Sequence, residues 1–405
     1  MHPDRFDLHN ELHARPSIYF QEPANVFHLT LLEQEHSLEL LVQSLSPDTE
    51  GQLQGLLSLD GCAMKWERHS EFLSLTLVVP RVSGDKPWVN PPQGLQRLIA
   101  NYEHLLIESS QILVVSEADW KGQAIEYGFK DPAGSEVGAG DAIVWSDFRL
   151  TEDGYNRLLL VNRRLNAYRL GRMVRRLLEI ETYRMMASLA LPVAKEVAAR
   201  LKEHERTLTL LSTDNANQEG SDARQILADI SALSARVVRC NARTRQRFSA
   251  AEAYAQIVFE RIAELREQHV SGYQRLGVFI ERRFRPTVRY CSATCQRLER
   301  LSNNVANLGE LLQARVQVEV EQQNCAILQS LNARAHAQIR IQKAVEGLSI
   351  IAISYYLLSL FKLLYEGLHG LGLPVTPKIA ALYIFPVAFI SLVAVAHRIH
   401  KAKRE

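Results

Sequence analysis

From Leu348 the chain reads LSIIAISYYLLSLFKLLYEGL, and after HGLGLPVTPK it continues with IAALYIFPVAFISLVAVA as far as Ala396. Each run approaches the ~20 apolar residues an α-helix needs to cross a bilayer, where its backbone polar groups must bond within the segment. Runs this long, flanked this way, are uncommon in soluble cores. They predict a transmembrane hairpin over residues 348–396, with the lipid bilayer as a partner. Arg334, Arg340 and Lys343 precede the first run and HRIHKAKRE follows the second, whereas the short connection carries one lysine, Lys378. The positive-inside rule then puts both termini in the cytoplasm, with residues 397–405 as a basic tail.

Within the first run Tyr355, Ser359, Lys362 and Glu366 are spaced four, three and four apart and share one helix face. Two readings stand. The face lines a pore or a helix–helix contact in an oligomer, because ionisable groups in a span turn to protein or water. Alternatively Lys362 and Glu366 lie near the outer end, where a lysine snorkels to the headgroups and the two bond across one turn.

The rest of the chain carries no global field that calls for nucleic acid or an acidic substrate: 47 basic residues face 45 acidic ones, a net charge of +2. The five cysteines, Cys62, Cys240, Cys291, Cys295 and Cys325, are odd in number and lack a scaffold spacing, so free thiols in a reducing compartment are expected. The stretch MHPDRFDLHNEL has no apolar h-region, and no signal peptide is predicted.

From about Tyr168 to the first run the pattern is helical. YRLGRMVRRLLEIETYRMM sets Leu170, Met173, Leu177 and Leu178 on one stripe, and Pro192 should kink or divide the helix. The polar stretch 212–222, STDNANQEGSD, reads as a turn before a second helix over about Ala223–Gln268, giving an antiparallel hairpin. After Pro286 nothing stops a helix before Leu368, and at 1.5 Å per residue it would be on the order of 125 Å long. Leu298, Leu301, Val305, Leu308 and Leu312 keep a 3-4 spacing, continued more loosely by Val316, Val320, Ile327, Leu331, Ala335 and Ile339. That is a coiled-coil-like seam, and it predicts self-association.

In the N-terminal third the period changes. VFHLTLLE, EFLSLTLVV, QILVVSE and AIVWSDFRL read as strands, with RLLLVNRRL as a last one, while LEQEHSLELLVQSL and PPQGLQRLIANYEHLLIES read as helices. The expected fold class is therefore α+β with a membrane part. An α/β domain over 1–166, with a mixed or antiparallel sheet, precedes a long-helix region over 167–347 and the two-span hairpin.

Two stretches invite chemistry. HNELHARP places His9, Glu11 and His13 together, but a zincin needs its glutamate directly after the first histidine, and this is H-N-E-x-H. A looser metal site would need a third ligand such as His2, His28 or His36; otherwise the residues tie down the local backbone, with Pro16 ending the element. In KWERHSEF, strand alternation would set Glu67, His69 and Glu71 on one face, a row that binds a cation, moves protons or forms a solvated salt-bridge network. Cys291 and Cys295 have no second cysteine pair to make a zinc or thioredoxin-type signature. There is no Walker loop, dinucleotide fingerprint, G-x-S-x-G or kinase set, so no cofactor is expected and no common enzyme class is indicated. An ion or small ligand stays open as a partner.

LHNELHARP, KWERHSEF, WSDFRL, GRMVRRLLEIETYRMMASLALPVA and VEGLSIIAISYY together resemble an uncharacterised bacterial family, domain of unknown function 3422, described as predicted membrane-anchored proteins. The resemblance covers essentially the whole chain. It implies an inner-membrane protein with a large cytoplasmic part, and it carries no catalytic residues. In architecture alone the chain is also similar to CorA-type magnesium channels. Where that family has Gly-Met-Asn, this chain reads YEGLHGLG.

Overall fold

In the computed structural model, residues 18–34, 53–82, 86–217 and 223–370 are described, together with scattered positions outside them. The chain divides into two units, residues 1–310 and 311–405.

The first unit is built on a nine-stranded mixed sheet. Its strands are β1 (Ala24–Leu32), β2 (Gln54–Leu59), β3 (Cys62–Arg68), β4 (Phe72–Pro80), β5 (Leu106–Ser116), β6 (Ala133–Val137), β7 (Ala142–Ser146), β8 (Asn156–Asn162) and β9 (Gln268–His269). They lie in the order β2-β3-β4-β1-β5-β8-β7-β6-β9. Neighbours are antiparallel except β5 and β8, which are parallel. Asp60 and Gly61 join β2 to β3 with both residues left-handed, φ 52° and 78°. That is the turn whose twist matches a two-residue hairpin, and Asp-Gly supplies it at low steric cost.

Strand β1 is buried along nearly its whole length because both of its faces are covered. Phe27, Leu29 and Leu31 join Trp66, Leu75 and Leu77 in a core that Leu95 and Leu98 of helix α1 (Gln93–Tyr102) cap. The helical period read through Leu106 stops at Tyr102. A single 3-10 turn, Glu103–Leu105, intervenes, and from Leu106 the chain is committed to β5, held between β1 and β8. The helix expected over 32–45 lies mostly outside the described residues.

Helix α2 (Ala167–Ser188) begins where the Asn166 side chain accepts the Arg169 N–H at 3.0 Å, and it covers the opposite face of the sheet. The break before α3 (Ala190–Asn217) falls at Leu189, so Pro192 sits in the first turn of the new helix, where a missing N–H costs nothing. Helix α4 (Ala223–Glu264) packs back on α2 and α3. It ends earlier than its periodicity suggests because Gln268 and His269 form β9 on the sheet edge. Helix α5 (Leu276–Gly370) starts ten residues before Pro286, which lies inside it. Its first residue is tied to the sheet: the Leu276 N–H donates to Ser135 Oγ at 2.9 Å. Leu298, Leu301 and Val305 of the seam are buried in this unit.

The second unit contains the rest of α5. Here the seam residues Ile327, Leu331 and Ile339 are exposed, as are most of the apolar residues from Leu348 onward. α5 is long and apolar enough to cross a membrane, and its apolar stretch is unburied. The second apolar run lies largely outside the described residues; those described within 385–391 are helical.

Candidate functional site

The alternation of β1 sends its even-numbered residues toward α2, and two of them are polar: His28 and Thr30. Cross-strand register adds Ser74 and Thr76 from β4 and Glu108 and Ser110 from β5 to the same face, and β8 contributes Asn156. Opposite them, α2 interrupts its apolar stripe with Glu181 and Thr182, both buried. Polar groups taken this far from water must bond to one another, and they do. His28 Nδ1 lies 2.8 Å from Thr76 Oγ1, and its Nε2 lies 2.9 Å from Thr182 Oγ1. Thr182 in turn contacts Thr30 at 3.2 Å, and Thr30 donates to Glu108 Oε2 at 3.2 Å. Ser110 donates to the other oxygen of Glu108. Beside this chain, Asn156 Nδ2 donates to Glu181 Oε2 at 2.9 Å and Arg184 donates to the same carboxylate at 2.6 Å.

Charge is expelled from the centre of the network. Burial depresses the His28 pKa to about 3, helped by the nearby His69 and Lys65, and burial lifts Glu108 to about 8 against the pull of the Ser110 hydrogen bond. The two side chains approach to 3.9 Å, an ion-pair distance, but at neutral pH both are uncharged. Desolvation of either ion costs more than their attraction returns. The formal charge sits at the edge instead, where Glu181 holds Arg184.

On its outer side the network borders a cavity of about 50 Å³ lined by His28, Lys65, Glu67, His69, Arg175 and Glu179 among others. That volume has room for a few waters and falls far below the several hundred Å³ of small-molecule sites. Its rim is paired: Lys65 with Glu67 at 2.9 Å, Arg175 with Glu179 at 2.7 Å, and Arg261 of α4 with Glu179. Gly171 lets α2 approach the segment at Ile18 on this side; a Cβ there would stand 2.1 Å from the Ile18 carbonyl oxygen. The arrangement can hold water and pass protons among buried hydroxyls. It offers no space for a substrate.

The residues of KWERHSEF are divided by the β3–β4 turn. Glu67 closes the Lys65 pair and His69 stacks on Phe72 at 4.1 Å, both beside the cavity. Glu71 instead turns to α4, accepting from Arg247 Nη2 at 2.6 Å and Tyr254 OH at 3.0 Å. The strand ends at Arg68, so the alternation does not extend to Glu71. His9, Glu11 and His13 lie outside the described residues. Among the described residues no group of three or more His, Cys, Asp or Glu could hold a metal ion. Tyr355, Ser359, Lys362 and Glu366 are all exposed, and Lys362 and Glu366 approach to 3.9 Å. The residues that sequence reading passed over are Thr30, Glu108, Ser110, Glu181 and Thr182. Their signal was polarity breaking the apolar run of β1, the polar stretch ESSQ early in β5, and a polar pair inside the α2 stripe.

The segments GRMVRRLLEIETYRMM and KWERHSEF thus meet beside one buried polar layer. No curated protein matches the chain. Residues 1–403 match the family described as protein of unknown function (DUF3422), and the chain belongs to that family.

Proposed function

We propose that this is a membrane-anchored, self-associating protein of the bacterial inner membrane, whose sheet domain and helices lie on the cytoplasmic side as a sensing or interaction module. The observation that carries the reading is α5: one helix is hydrogen-bonded to the sheet at Leu276 and bears, toward its other end, an unburied apolar stretch. A helix that begins on a domain and continues as a span transmits displacement between them. The exposed seam residues Ile327, Leu331 and Ile339 give copies of the chain an apolar stripe to share. The second apolar run and the cationic residues beyond it complete a two-span anchor with both termini inside.

Fractionation of cells expressing the full chain tests the anchor. The protein stays with membranes after alkaline carbonate, and a reporter fused at either end reads as cytoplasmic; release into the soluble fraction would overturn the reading. Light scattering of detergent-purified protein should give a multiple of the chain mass. Reconstituted oligomer that passes divalent ions down a gradient would replace the sensing role with that of a channel.

A further inference from the structure

A second cavity, about 410 Å³, is lined in part by Arg184, which bonds Glu181 of the buried network, and its volume is that of a small-molecule site. Four segments form it: Asp131 ahead of β6, the turn Asp147–Arg149 after β7, the C-terminal end of α2, and the first turns of α5. The turn belongs to WSDFRL, a motif for which the buried layer has no use.

The turn is held in an unfavourable shape. Phe148 has φ 53°, a left-handed conformation rarely adopted by a bulky side chain. It is kept there by Asp147, whose carboxylate accepts the Lys130 N–H at 3.1 Å and the Arg149 N–H at 3.2 Å, and by stacking of its ring on Phe279 at 4.9 Å. Strain of this kind persists where the surroundings over-determine it, commonly at binding sites. Here its effect is to set Arg149 at the cavity.

Arg149 and Arg283 both line the cavity, and neither has a carboxylate partner among the described residues. Arg283 is positioned by the Phe279 ring, 3.6 Å from its centroid, and by a 3.4 Å bond to the Phe279 carbonyl, which leaves most of its donors free. Arg184 is the third guanidinium, already engaged by Glu181. Against these stand two carboxylates, Asp147, which accepts the Lys130 and Arg149 N–H groups, and Asp131. Two unpaired, flat, five-donor forks at one concave site match a group that accepts two parallel hydrogen bonds.

We propose that this cavity binds a small molecule bearing an oxyanion, a phosphate or carboxylate, held by Arg149 and Arg283. The inference rests on the sensing role above and names what is sensed. The site adjoins both ends of the proposed relay. Arg184 leads to Glu181 and the buried layer, while Phe279, Arg283 and Thr287 belong to the helix that carries the apolar stretch. Pro286, in the same turns, leaves the Arg282 carbonyl without its helical donor, so the start of α5 lacks one of its own backbone bonds.

The test is titration calorimetry on the full chain in detergent, at constant ionic strength, with inorganic phosphate, pyrophosphate and citrate as separate probes. At least one should bind saturably. Arg149→Ala and Arg283→Ala should each weaken it at least about tenfold, the scale of one charge-assisted hydrogen bond, and Asp131→Asn should tighten it. The exposed helix residue Arg97, exchanged for Ala, should change nothing. Both arginines are exposed, so their loss leaves the core intact, which circular dichroism checks. Phosphate and pyrophosphate binding without citrate identifies the phosphate source, and the converse identifies the carboxylate. Absence of saturable binding, or binding indifferent to both arginines, overturns the proposal. Anion binding by a chain that fractionates as soluble would leave this site standing and remove the anchor.

Discussion

Replacing Glu108 by Gln isolates the charge state of the buried layer. In the folded chain the Glu108 carboxyl holds its proton up to about pH 8, whereas the unfolded chain releases it near 4.5. Between those values the folded state binds more protons, so stability falls as pH rises, by about 1.4 kcal/mol per unit. His28 acts in the other direction: its folded pKa of about 3 lies below the unfolded 6.5, and stability rises with pH between them. The two slopes cancel between pH 4.5 and 6.5, leaving a plateau, with a decline on the acid side set by His28 and one on the alkaline side set by Glu108. From pH 6.5 to 8 the Glu108 contribution amounts to about 2 kcal/mol. Glutamine resembles the protonated carboxyl in shape and can bond Ser110 and Thr30, but it cannot ionise. Glu108→Gln should therefore match the wild type near pH 4, where the carboxyl is protonated both folded and unfolded, and exceed it by about 2 kcal/mol at pH 6 and about 4–5 kcal/mol at pH 8. All four tryptophans fall within residues 66–145, so urea unfolding of the full chain in detergent, followed by tryptophan fluorescence, reports on the sheet domain. A wild-type-minus-variant difference that stays constant from pH 6 to 8 would show that Glu108 is already ionised in the fold, and the account of the buried layer would fail.

Gly171→Ala should destabilise the same transition by about 1–3 kcal/mol, because the new Cβ meets backbone at Ile18 and not a yielding side chain, and proteolysis near residue 18 should become faster. Glu71→Gln removes a charge that Arg247 and Tyr254 both address from α4; a loss of about 1–3 kcal/mol in urea unfolding is expected, with larger exposure of α4 to hydrogen exchange. Ile327→Glu combined with Leu331→Glu places charge on the exposed seam. The detergent-solubilised oligomer should dissociate, as read by light scattering, while tryptophan fluorescence and the unfolding midpoint stay unchanged.

Periodicity made much of this fold legible. Short runs rich in β-branched and aromatic residues, alternating in places, located β1, β4, β7 and β8 and the later half of β5, and the 3.6-residue stripe located α2 and α4 to within a few residues. It misplaced the end of α1, because the helical stripe and the strand that follows both use Leu106, and only pairing with β1 and β8 selects extended backbone there. It also missed β2 despite the Asp-Gly turn, β6, and β9, whose two residues carry no period at all. The KWERHSEF row shows the same limit at the candidate site: alternation is a property of a strand, and whether the strand continues past Arg68 is decided by the turn.

What the chain determines locally is its alphabet of elements: strands, an extended helical series, and apolar runs long enough for a bilayer, each a consequence of spacing along the backbone. What the tertiary structure alone decides is which side chains share an environment. His28 and Glu108 are 80 positions apart, and neither is unusual in its own stretch. They become a neutral, proton-linked pair because the register of β1 against β5 sets them on one face and α2 seals it. Desolvation is a property of that enclosure, so it cannot be read until the enclosing elements are assembled.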